Sequence, residues 1–365
     1  MHRFHESLPG YAATELYSLP SLSEYLGVHS LYVKDESTRF GLNAFKVLGG
    51  SYSIARLLGQ IANIPSDQLS FERLQKEDVK DLEVVTATDG NHGRGIAWAC
   101  RQFGIKAHVF MPKGSSTERL ANIQALGADA QITNLNYDDC VRYAAKCAKE
   151  KGWKLVQDTA WDGYETIPSW IMQGYTTMGL EIVENLTEIP THIFLQAGVG
   201  AMSGALTAFF TDYYQYRKPK IIIVEPNGAN CIFQTANEDD GKLHTVKDLD
   251  TIMAGLSCGE PCTIGWNQLS KCADCFISVP DFIAAKGMRI LGNPVGSDSR
   301  IISGESGAVS IGLVAQIMTS SNLNELRKKL DLGKDSKILC ISTEGDTDKE
   351  SYRNIVWNGT YPNIY

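Results

Sequence analysis

The chain has 365 residues, 43% of them apolar, 9% aromatic and 21% charged, with a net charge of −8 from 34 basic and 42 acidic residues. A length of this order suits two domains or one large α/β unit, and the composition excludes disordered, collagenous and small disulfide-scaffold classes. With no long basic run, there is no electrostatic footprint for nucleic acid or an anionic membrane, which leaves a small molecule as the expected partner.

The first residues, MHRFHESLPGYAATEL, show neither the apolar core of a signal peptide nor the Arg-rich, acid-poor character of a transit peptide, so a cytoplasmic protein is expected. Helical period is predicted over 43–62, followed by a charged stretch of low structural commitment at 63–80. Strands then alternate with helices: strand 82–88, helix 91–104, strand 107–112, helix 116–126, strand 130–135, helix 137–151 and strand 154–158. Beyond these come helix 168–186, strand 192–197, helix 201–216 and strand 220–226. The segment 235–275, rich in Gly, Cys, Asp and Asn, is long for a bare loop and is expected to be functional or to carry short hidden elements. Helices at 280–292, 305–319 and 322–330 precede a last strand at 337–343. The uncharged stretch 189–211 contains Gln196, Ser203 and glycines, so it reads as strand, loop and helix start rather than a membrane span.

This alternation predicts an α/β fold of parallel sheets with crossover helices. Val84 to Asp158 holds four strands and three helices, enough for a small doubly wound lobe. The expected architecture is two doubly wound lobes, with a small domain (83–158) inserted in a large one (1–82 and 159–365). The nine cysteines do not form an extracellular framework. Cys258, Cys262, Cys272 and Cys275 leave nine residues between their two pairs, fewer than the 15–20 of a zinc ribbon. No metal is therefore expected. Reduced thiols are the simpler reading, with a Cys231–Cys258 bridge left open.

Four stretches could carry chemistry. In GLNAFKVLGGSYSIA, Lys46 begins a helix whose positive end disfavours the ammonium and favours a free amine able to form a Schiff base; it could equally be one more surface lysine. In VVTATDGNHGRGIAWA, a strand runs through a glycine turn with Asp89, Asn91 and His92 into a helix. That suits either an anion cradle or a plain βα turn, while Asp89 at a strand end is poised for proton transfer. His92 could be a turn residue or a proton carrier. In THIFLQAGVGAMSGALTAFF, glycines follow a strand and open a helix, as a phosphate site requires. The pattern lacks the Lys-Ser/Thr of a P-loop and departs from Gly-x-Gly-x-x-Gly, but Glu225 near the end of the next strand keeps a dinucleotide site open as a competitor. In KILCISTEGDTDKESY, Ser342 or Thr343 could bond a heteroaromatic nitrogen without protonating it, or could simply cap a turn.

In this order the four stretches resemble the pyridoxal-phosphate enzymes of fold type II, the tryptophan-synthase-β type. NAFK, TDGNHGRG, QDTAWxGY, QAGVGAM, GLxCGEP, ISGESGA and STEGDTD are similar to the diaminopropionate ammonia-lyase family over nearly the whole chain, most weakly before residue 30 and in 63–80 and 235–248. The resemblance implies a cofactor, pyridoxal 5'-phosphate, in the cleft between the lobes. Lys46 would hold it as a Schiff base and Asn91 would bond its phenolic oxygen. The loop Gly198, Val199, Gly200, Ala201 and Met202 would hold its phosphate, and Thr343 its ring nitrogen, with Ser342 a weaker candidate. Asp89 stands where many relatives carry Ser or Ala, and with Asp158 it would give the site two carboxylates for a substrate with two amines. Either Lys46 or Asp89 would remove the α-proton, according to the isomer bound. The implied reaction is α,β-elimination of D- or L-2,3-diaminopropionate to pyruvate and two ammonia by a carbon-nitrogen lyase, expected to act as a homodimer. The competing expectations are a serine or threonine dehydratase of the same fold, a dinucleotide-dependent oxidoreductase and a non-catalytic cofactor-binding protein. On this reading the glycines at 49–50, 90–95, 198–204 and 304–307 give backbone room around one cofactor.

Overall fold

A computed structural model of the chain describes residues 1–77, 79, 81–88, 90–247 and 249–362. Among them ten strands occur: β1 (Leu16–Ser18), β2 (Ser30–Asp35), β3 (Glu83–Ala87), β4 (Lys106–Met111), β5 (Asp129–Ile132), β6 (Lys154–Leu155), β7 (His192–Gln196), β8 (Lys220–Pro226), β9 (Cys275–Val279) and β10 (Lys337–Ser342). They build a four-stranded sheet in the order β5-β4-β3-β6 and a six-stranded sheet in the order β1-β2-β10-β7-β8-β9. All pairs are parallel except β1 with β2. By internal contact the chain divides into two compact units: Met1–Ala13 with Arg39–Leu180 and Cys262–Ile264, and Thr14–Thr38 with Glu181–Pro261 and Gly265–Tyr365.

The first unit holds the four-stranded sheet, whose strands and crossover helices span the 83–158 segment. It also takes in the Val47–Ile61 helix and most of the Thr166–Asn185 helix. Val84, Val85 and Ala87 of β3 are buried, as a central parallel strand covered on both faces requires. Ala97, Val109, Met111, Ile123 and Ala130 pack together as an apolar core on the β4–β5 side of this sheet. The strand expected at 154–158 is shorter, because past Val156, whose N–H still donates to the Val85 carbonyl, a side chain replaces the backbone ladder. Gln157 Oε1 accepts from Ala87 N at 2.9 Å and from Thr86 Oγ1 at 3.1 Å. Continuing the β3·β6 register of Val85 opposite Leu155 brings Thr88 level with Asp158.

The second unit holds the six-stranded sheet around a larger core that includes Val33, Phe194, Ile222, Val224, Ala308 and Ile338. β1 and β2 fall outside the elements predicted from the sequence. In β2, SLYVKD, a charge sits where a core strand should be apolar. Lys34 is fully buried and donates to Glu181 Oε2 and to the Thr14 carbonyl, both at 2.6 Å. The 235–275 stretch does contain hidden elements, for Cys231–Glu238 and Thr263–Cys272 are helical and β9 begins at Cys275. The β10·β7 register of Cys340 opposite Phe194 sets Ser342 level with Gln196 at the carboxyl edge of the sheet. Among the described residues no helix is long and apolar enough to cross a membrane.

Candidate active site

In the first unit, Lys46 is the N-cap of the Val47–Ile61 helix, as its place before VLGGSYS suggested. This helix meets the Asn91–Phe103 helix with almost no space between the backbones. A Cβ on Gly95 would lie 2.8 Å from Val47 Cα, and one on Gly50 would lie 3.2 Å from the Gly95 carbonyl carbon. These glycines let the helix behind Lys46 and the helix that begins at Asn91 close on each other. They do not make room for a ligand, which corrects the reading of 49–50 and 95. The same holds for Gly304 and Gly307, whose Cβ atoms would meet Gly345 O at 2.5 Å and Ser303 Oγ at 2.6 Å.

Lys46 Nζ donates to Asp158 Oδ2 at 2.6 Å. The carboxylate is 4% exposed, and its other oxygen faces Gln157 Nε2 at 3.2 Å and the Tyr137 hydroxyl at 3.4 Å. Burial alone would raise the Asp158 pKa, but the charge at His92 and the Lys46 ammonium, which also donates to it, bring it down to about 2. The expected push toward a free amine is therefore opposed. A full opposite charge at close range is worth roughly 4 kcal/mol in a partly screened site, against at most about 2 from a helix end. His92 is buried, and its Nε2 lies 2.9 Å from the Val156 carbonyl; a carbonyl only accepts, so Nε2 carries the proton. Nδ1 faces Asp158 Oδ2 at 3.8 Å.

The turn before this helix is less of an anion cradle than its sequence suggested. Thr88 Oγ1 accepts from Gly90 N at 2.9 Å and Gly93 N at 3.0 Å, which satisfies two of the N–H groups a ligand would have used. Asn91 is the buried first residue of the helix. Asp89 lies outside the described residues. Tyr137 and Gln157, which hold Asp158, were not singled out from the sequence. Gln157 stands next to Asp158 in the quoted QDTAWxGY, whereas nothing in sequence marks Tyr137 as a partner.

In the second unit, β7 runs into the Ala197–Gly200 loop, and the Ala201–Tyr214 helix follows. Gly200 is its N-cap at φ +90°, a left-handed conformation that glycine adopts without penalty. The first-turn N–H groups, those of Ala201 and Met202 among them, have no intrahelical acceptor and carry the positive end of the helix dipole. Beyond β10, Thr343 is buried, and Gln196 Nε2 lies 3.0 Å from its hydroxyl. Ser342 is engaged elsewhere, donating to Ser303 Oγ at 2.8 Å. The dinucleotide alternative loses its ribose ligand here. Glu225 is 1% exposed, and its carboxylate accepts from Ile232 N at 3.0 Å and Phe233 N at 2.6 Å at the start of the Cys231–Glu238 helix. Burial pushes its pKa up to about 8 despite those two bonds.

No cluster of His, Cys, Asp or Glu among the described residues has the arrangement of a metal site. Cys100, Cys140 and Cys340 are buried thiols whose pKa values burial raises, that of Cys140 to about 11. Each unit by itself offers donors that suit part of a phosphorylated pyridine aldehyde. Lys46 offers an amine, the Gly200 helix start offers backbone N–H groups for a phosphate, and Thr343 keeps an O–H for a ring nitrogen.

A family model described as pyridoxal-phosphate dependent enzyme matches residues 8–344. The chain is 52% identical over 366 aligned residues to the diaminopropionate ammonia-lyase of Salmonella typhimurium, covering 98% of this chain and 91% of that protein. Its structure superposes with a TM-score of 0.95 on Escherichia coli diaminopropionate ammonia lyase in complex with D-serine, at 49% identity, covering 99% of this chain and 92% of the other. The same E. coli enzyme in complex with an aminoacrylate-PLP azomethine reaction intermediate superposes with a TM-score of 0.92 at 48% identity, covering 99% and 91% of the two chains.

Proposed function

The chain belongs to the pyridoxal-phosphate-dependent enzyme family, and on that premise we propose that it is a carbon-nitrogen lyase that eliminates ammonia from 2,3-diaminopropionate, yielding pyruvate and two ammonia. The observation that carries this reading is the buried pair of Lys46 with Asp158. An amine that bonds a carbonyl cofactor stands 2.6 Å from a carboxylate that stays ionised down to about pH 2. Asp158 would receive the substrate's second ammonium in place of the Lys46 ammonium, which would leave Lys46 a neutral amine able to take the α-proton. A hydroxyl at the β-carbon, as in serine, would leave that buried charge without a cation, at a cost of several kcal/mol.

The remaining roles follow the chemistry of each group. The pyridoxal ring, when bound, supplies an electron sink for the electrons of the substrate Cα–H bond. Asn91 would bond the phenolic oxygen, the N–H groups of Gly198 to Met202 would hold the phosphate, and Thr343 would donate to the ring nitrogen. Lys46 and Asp89 take the α-proton from opposite isomers, which accommodates both D and L substrates. The enamine that leaves hydrolyses in water to pyruvate and ammonia. The acting form is a homodimer in the cytoplasm. Holoenzyme assayed by pyruvate release is expected to turn over diaminopropionate at least about tenfold faster than serine. Equal or greater turnover of serine would move the assignment to a dehydratase.

A further inference from the structure

We propose that Gln196 is a positioning residue: its amide fixes the direction of the Thr343 hydroxyl, so that the hydroxyl proton is donated to the ring nitrogen of the cofactor. The inference rests on the placement of Thr343 at that nitrogen.

Gln196 ends β7 and is buried. Its Nε2 lies 2.9 Å from the Ile341 carbonyl, 3.0 Å from the Ser306 carbonyl and 3.0 Å from Thr343 Oγ1. Its Oε1 accepts from Ser310 Oγ at 3.3 Å. Backbone carbonyls only accept, so the two at 2.9 and 3.0 Å fix the NH₂ end of the amide on their side. A flipped amide would set its own oxygen against both carbonyls in a buried place, which costs the lost bonds and adds repulsion. Thr343 therefore faces an NH₂ group whose two protons are shared among the carbonyls and its own oxygen and whose nitrogen offers no lone pair, so the hydroxyl cannot donate there. Its single proton has to be spent on something else. A pyridine nitrogen is an acceptor of that kind, and a neutral O–H bonds it without transferring the proton, whereas a carboxylate would hold it protonated. Ser342, level with Gln196 in the register, cannot substitute, because its proton goes to Ser303.

The test uses holoenzyme reconstituted with pyridoxal phosphate labelled with ¹⁵N in the ring, and reads the nitrogen resonance alongside turnover. In the natural protein the resonance is expected at the position of an unprotonated, hydrogen-bonded pyridine. In Gln196→Glu the new side chain, protonated toward the Ile341 and Ser306 carbonyls, presents Thr343 with an oxygen lone pair that draws its proton; the ring nitrogen then faces the Thr343 lone pair, and the resonance moves toward pyridinium. The share of turnovers ending in transamination, read as accumulated pyridoxamine phosphate, rises about tenfold. Gln196→Met, which carries no charge, moves the resonance the other way, toward a pyridine without a donor, and keeps the test valid if the Glu variant does not fold. Thr343→Ala loses the hydrogen-bonded position and Thr343→Ser restores it. If Thr343→Ala moves the resonance and neither Gln196 variant does, the role of Gln196 is overturned while the placement of Thr343 stands. If Thr343→Ala leaves it unmoved, the placement itself fails and the inference with it.

Discussion

The candidate site contacts of the two units handle charge in opposite ways, although both units bury an ion pair. In the first, Lys46 and Asp158 form a buried ion pair whose carboxylate is held by Gln157 and Tyr137. In the second, the candidate cofactor contacts carry no formal charge: backbone N–H groups at the Gly200 helix start, and a Thr343 hydroxyl beside the Gln196 amide. Breaking a buried ion pair leaves an uncompensated charge, whereas removing one neutral hydrogen bond costs about 1 kcal/mol. The division also suits the chemistry. A group that must change bonds during turnover benefits from a strong partner that can be exchanged, while a phosphate and a ring nitrogen are held best by dipoles that never titrate.

The first region should therefore break hardest. Lys46→Ala is expected to abolish the visible absorbance of lysine-bound cofactor and to lower turnover by about a thousandfold or more. A coloured variant with full activity would remove Lys46 from the mechanism. Asp158 gives a pH signature in the cofactor-free protein. Its carboxyl is a stronger acid folded than unfolded, so in the window between the usual carboxylate range and about pH 2 the unfolded chain binds more protons. Stability is fully present above that window and is lost as pH falls through it, by about 2 kcal/mol. Urea unfolding of Asp158→Asn should lack this acid-side slope. An unchanged slope would place the origin elsewhere. Gly95→Ala should cost about 1–3 kcal/mol of stability by forcing apart the helices behind Lys46 and Asn91. A neutral result in thermal unfolding would mean that the crossing can relax.

The same contrast explains what the sequence disclosed. Parallel strands that are apolar on both faces, such as β3, β7, β8 and β10, stand out as runs between glycine turns, and the sheets built on them were legible. β2 was hidden because Lys34, a core residue here only through Glu181 and Thr14, breaks the apolar pattern. β6 was read too long because Gln157 finishes the ladder with its side chain. The element-end positions of Lys46, Gly200 and Thr343 were legible in the sequence. The Lys46–Asp158 pair joins residues 112 apart, and the Tyr137 contact to Asp158 spans 21. No local pattern marks such partners. The glycines at 50, 95, 304 and 307 were read as room for a cofactor, whereas they serve close packing.

The most direct test of the proposed reaction is the stoichiometry of ammonia to pyruvate released by holoenzyme from D- and from L-2,3-diaminopropionate. Two ammonia for each pyruvate are expected, since both substrate nitrogens leave. One ammonia per product, with the second nitrogen retained on carbon, would contradict elimination at the β-amine and with it the role given to the Lys46–Asp158 pair.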